Sequence, residues 1–140
     1  MKILLSILLI FLFNNSNGQS LQNSNCLTLS NIIEMPIFNK QFYFLENQME
    51  AFIVVDTSKF FSKCNFDSIQ GRIVKLIDAP PTKIQMRNNN NIVFVSIGYK
   101  FENRLISFGF WCPGNGTTLS IFYELKDKEL YLLGYKTGDL

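Results

Sequence analysis

Histidine is absent from all 140 residues. That removes the Ser-His-Asp and Cys-His nucleophile pairs and every metal site built on imidazole. Cysteine is scarce: Cys26, Cys64 and Cys112 stand far apart without a CxxC spacing, so zinc would have to rely on scattered thiolates and carboxylates. Arginine occurs only as Arg72, Arg87 and Arg104, and no basic run gathers anywhere. The formal net charge is +2. A balance so near neutral offers little to a nucleic acid or an anionic membrane surface. What these absences leave is chemistry by carboxylates, Lys or Tyr, or no chemistry at all. No cofactor and no metal is implied.

The one long apolar run stands at the start. In MKILLSILLIFLFNNSNGQS, Lys2 precedes apolar residues 3–13, and Ser16 and Gly18 lie where a signal peptidase takes small side chains. The run is about half the roughly 20 residues of a spanning helix. The segment resembles bacterial export signals that end in a small residue followed by Gln. The reading is a signal peptide over 1–18 and a single exported β-rich domain over 19–140, periplasmic or secreted, with no stable membrane span after cleavage. Cys26 follows Asn25 well beyond the apolar run, which excludes a lipoprotein anchor. Without the leader 122 residues remain, with net charge +1 and 12 of the 14 phenylalanines. That is enough for one real core.

Along the domain, QSLQNSNCLTLS (19–30) is polar and reads as an arm. In NIIEMPIFNKQFYFL (31–45), Pro36 forbids an uninterrupted helix or a central strand. EAFIVVD (50–56) reads as a buried strand. Thr57 or Ser58 is placed to cap a short helix over 57–69 that turns Phe60, Phe61 and Cys64 inward. RIVKLID (72–78) is strand-like, and KIQMR (83–87) alternates as a strand does. Four asparagines, Asn88, Asn89, Asn90 and Asn91, have the composition of a turn. Three further strands follow, IVFVSIGY (92–99), RLISFGFWC (104–112) and the alternating TTLSIFYELK (117–126), and several of the strands are apolar on both faces. Asp127-Lys128 is a two-residue hairpin candidate before ELYLLGY (129–135). This even spacing predicts a mainly β fold: an antiparallel meander forming a small barrel or sandwich, with one short helix in the N-terminal half, the remaining option being a sheet covered by that N-terminal half.

FGFWCPGNGTTLS (108–120) raises three chemical readings. A phosphate cradle needs a helix after its glycines and a nearby lysine, but a strand follows and no lysine comes before Lys126. A reactive thiol at Cys112 has no histidine and no sequence-adjacent cation to lower its pKa. The third reading is a pinned turn between strands, and an exported chain with three cysteines then holds one disulfide and one odd thiol. Cys64–Cys112 is the expected pair, since both lie in ordered segments, and Cys26–Cys112 is the runner-up. Trp111 is expected to pack near the sulfur, or else to serve as an exposed anchor for a partner. Tyr123, Tyr131 and Tyr135 form a candidate aromatic ladder on adjacent strands. Glu124, Asp127 and Glu129, interleaved with Lys126 and Lys128, read as a solvated turn, and Asn115-Gly116-Thr117 is a formal glycosylation sequon.

An aromatic-Cys pair, a Gly-rich turn and an alternating strand resemble the small exported lysozyme inhibitors, which are disulfide-tied β-barrels. The overlap covers the last third of the chain, and no recognition residue carries over. The functional expectation is an exported, non-enzymatic β-domain that binds another macromolecule, a protein or cell-envelope component, as inhibitors, immunity proteins or envelope accessories do. The alternatives are a binder of a small apolar ligand in a Phe-lined barrel and a carboxylate-dependent hydrolase.

Overall fold

The computed structural model describes residues 18–46 and 50–139. Residues 1–17, nearly all of the expected leader, lie outside them. Six strands form one mixed sheet: β1 Phe52–Val55, β2 Val74–Ile77, β3 Ile92–Lys100, β4 Leu105–Cys112, β5 Thr117–Lys126 and β6 Glu129–Asp139. Their order is β2-β1-β3-β4-β5-β6. From β3 to β6 the chain makes the expected antiparallel meander. β1, however, lies between β2 and β3 and runs parallel to both. The sheet ends at β2 and β6 without closing into a barrel. Among the described residues it is the only sheet, so the expected sandwich is absent too, and the second layer is helical.

Three helices stand among the described residues: α1 Gly18–Glu34, α2 Pro36–Phe42 and α3 Lys83–Asn88. The expected arm is thus helical. Leu29, Ile32 and Ile33 are fully buried at helical spacing, and this apolar face holds α1 against the core. Pro36 does break the helix, and it opens α2 as that helix's first residue after an extended Met35. α2 stops at Tyr43, which has left-handed backbone (φ 52°).

Two other expectations reverse for local reasons. No helix forms over 57–69. The side chain of Asp56 takes the Ser58 hydroxyl at 2.9 Å and the Phe61 amide at 2.6 Å, and Lys59 has φ 58°. The segment closes as successive turns instead, with Phe61 buried and Phe60 partly exposed. Residues 83–87 form α3 rather than a strand, because Thr82 and Gln85 make a reciprocal capping box. None of its side chains is buried, and Ile84 is 74% exposed.

Alternation along β3, β4 and β5 gives the sheet two unlike faces. The inner face carries Val95, Phe108, Phe110, Leu119, Ile121 and Tyr123, all buried. α1 and α2 cover it. At the centre Phe38 of α2 meets Phe42, Phe44, Phe52 and Phe110 at centroid distances of 4.9–6.0 Å, edge to face. The phenylalanines fill the interior against one another.

Candidate functional site: a polar cleft beside a buried arginine

The site starts from a turn. Ile69 and Arg72 exchange both backbone hydrogen bonds, at 2.9 and 3.0 Å, around Gln70 and Gly71, whose φ angles are 50° and 77°. Arg72 emerges from this turn pointing inward, just ahead of β2, and is only 1% exposed. Its guanidinium carbon lies 5.5 Å from the centre of the Phe44 ring and 5.3 Å from that of Phe52. Nη1 donates to the Phe44 carbonyl. Nε is buried and has no hydrogen-bond partner among the described residues. Burial pushes the Arg72 pKa below its ordinary value, while the charge of Glu50 acts in the opposite direction. Since a guanidinium does not deprotonate in proteins, the group stays cationic.

Arg72 borders an open cleft of about 520 Å³. Phe42 and Tyr43, at the end of α2, supply its apolar wall, and Glu46 and Glu50 supply carboxylates. The asparagine run, Asn88 to Asn91, lines it as well. That run leads into β3 instead of making a hairpin. Asn91 donates its side-chain amide to the Ala51 carbonyl at 2.7 Å and accepts the Ile53 amide on its own carbonyl at 2.8 Å, which ties it to β1. The cleft therefore sits at the N-terminal ends of the three parallel strands, where Ala51, Arg72 and Asn91 come together. Among the described residues no three Cys, Asp or Glu converge as metal ligands would.

The residues singled out from sequence lie elsewhere. Cys26 and Cys64 form the disulfide, so neither Cys64–Cys112 nor Cys26–Cys112 exists. The reason is the helical arm: α1 carries Cys26 to the turns after β1, with its Cα 5.3 Å from that of Cys64. Cys112 is a buried free thiol that donates to the Asn90 carbonyl at 3.5 Å. Desolvation raises its pKa, opposed by the backbone amides of Asn115 and Gly114, which is the reverse of what a nucleophile needs. Residues 113–116 are the pinned turn between β4 and β5, closed by the Gly116 amide donating to the Cys112 carbonyl at 2.9 Å.

Trp111 points away from that sulfur, because neighbours in a strand face opposite ways. It lies on the outer face, 40% exposed, with its ring 5.6 Å from Phe94. The three tyrosines do not form a ladder. Tyr123 is buried on the inner face, and the register puts Tyr135, opposite Ile121, on the same side. Tyr131 pairs with Glu124 on the outer face. A bulge causes the split: Leu133 is an extra residue between the Phe122–Gly134 and Tyr123–Leu132 pairs, and residues before it change sides. Glu124, Asp127 and Glu129 stay at the last hairpin, where Glu129 accepts the Tyr131 hydroxyl at 3.0 Å.

Compared with protein-family models, with curated proteins and with solved structures, the chain matches none. The resemblance to lysozyme inhibitors has no support in the architecture either, since the sheet is open and Cys112 is unpaired.

Proposed function

We propose that the protein is an exported, non-catalytic domain that binds another macromolecule, a protein or cell-envelope component, along β6. One observation carries this reading. β6 ends the sheet, and it exposes Tyr131, Leu132, Leu133 and Tyr135 to between 46% and 57%. A long edge strand offers a row of unpaired backbone groups to an added strand. Large apolar side chains gathered beside such an edge mark an interaction surface. The Cys26–Cys64 disulfide is compatible with an oxidising extracellular compartment. No helix among the described residues is long and apolar enough to cross a membrane.

The apolar-ligand alternative has less to support it, because the sheet is open and the Phe side chains around Phe38 pack on one another. The test uses the oxidised protein as bait in an envelope extract, beside a Leu132→Lys, Leu133→Glu variant. The expected result is a partner retained by the native protein and released by the variant, with unchanged circular dichroism. Equal retention by both, or self-association alone, would overturn it. So would hydrolysis of a glycoside or peptide that disappears in Glu46→Gln, since that is the carboxylate-dependent alternative.

A further inference from the structure

We propose that the cleft at Arg72 binds a small zwitterion, an α-amino acid with a cationic side chain. The argument begins from a missing acceptor. A buried donor left without a partner is uncommon and costly, and Arg72 Nε is one, in a side chain that lines the cleft. Nη1 is already engaged by the Phe44 carbonyl, so the Nε edge of the guanidinium is the edge still to be filled. A carboxylate matches that edge best, because its two oxygens fit the planar fork.

Charge then decides what the carboxylate is attached to. Glu46 and Glu50 border the same space, so by residue type its lining holds one basic and two acidic side chains. A simple anion would meet Arg72 and be repelled by both glutamates. A ligand bearing a carboxylate together with ammonium groups satisfies all three, and the second negative charge favours a cationic side chain. The asparagine amides of the lining donate and accept without adding charge. At about 520 Å³ the cleft lies within the size range of small-molecule sites, about 300–1,000 Å³, with room for one amino acid. None of these residues belongs to β6, so the proposal stands apart from the macromolecular reading and can fail separately.

Calorimetric titration of the oxidised protein with L-lysine, L-glutamate, acetate and n-butylamine, each up to about 10 mM, tests the assignment. The expected result is saturable binding of L-lysine, at least about tenfold tighter than acetate or butylamine alone. Glu50→Gln, at an exposed position, should weaken L-lysine by about tenfold, the loss that follows removal of a charged hydrogen-bond partner. Arg72→Lys keeps the charge but loses the fork and should weaken it as much. If that buried variant fails to fold, Glu46→Gln and Glu50→Gln decide the matter. Absence of saturable L-lysine binding, L-glutamate binding as tight as L-lysine, or native affinity in both glutamate variants would overturn the proposal.

Discussion

Asp56 and Arg72 are the two buried polar or charged side chains among the described residues, and they solve burial differently. Asp56 spends its oxygens on the turn after β1, so it belongs to the fold. Asp56→Ala would orphan the Phe61 amide and is expected to lower stability by about 1–3 kcal/mol, read as a shift in the urea midpoint. Arg72 leaves its buried Nε unpaired among the described residues, and the proposed ligand site rests on that difference. Burial also holds Cys112 above its ordinary value of 9.0 and Tyr123 above 10.0. Both are favoured protonated in the folded state, so the unfolded chain sheds its protons first. Their contribution is complete below about pH 9 and is lost as pH rises through the folded values. Melting temperature should therefore fall on the alkaline side. Cys112→Ala and Tyr123→Phe should each flatten part of that fall.

At the scale of elements, connections decide more than strands do. The 113–116 turn passes so close to the asparagine run that a Cβ on Gly114 would lie 2.6 Å from the Asn89 carbonyl oxygen. Gly114→Ala is expected to cost about 1–3 kcal/mol, since backbone has to move. Chemical denaturation measures it, and changed ligand affinity in the Arg72 cleft would report the displaced wall. α3 is the opposite case. It buries nothing, so Thr82→Ala should speed amide exchange over 83–88 while changing global stability by no more than about 1 kcal/mol. In β6, Gly134 follows the extra Leu133 with φ 153°, a conformation in which side-chain-bearing residues are strained. That glycine and the bulge together present apolar residues on both faces of the edge.

Over the whole molecule, the helical layer is tied to the sheet by the core phenylalanines and by one covalent link. The disulfide spans 38 residues. Closing a loop of that size restrains the unfolded chain by roughly 3–4 kcal/mol. Replacing Cys26 and Cys64 by Ser should lower unfolding free energy by about that amount, and a change below about 1 kcal/mol would show that the unfolded chain is already compact there. α2 also reaches the last strand, where the Gln41 side-chain amide donates to the Gly138 carbonyl at 3.4 Å. That hydrogen bond lies at the far end of β6, while Tyr131, Leu132, Leu133 and Tyr135 nearer its start stay exposed.

Sequence alone determined what depends on neighbours along the chain. Even spacing between polar turns marked β3, β4, β5 and β6, Pro36 divided two segments, and Asp127-Lys128 made a tight turn with φ angles of 51° and 66°. The capping box at Thr82 and the apolar spacing of Leu29, Ile32 and Ile33 were legible too, though short alternation and a polar composition masked them. Tertiary structure alone decided that β1 pairs in parallel on both sides, that Cys26 reaches Cys64, and that Tyr131 and Tyr135 part. It also gathered Glu46, Glu50, Arg72 and the asparagines into one cleft. Those outcomes depend on which distant segments share burial and backbone partners, and local periodicity carries no information about that choice.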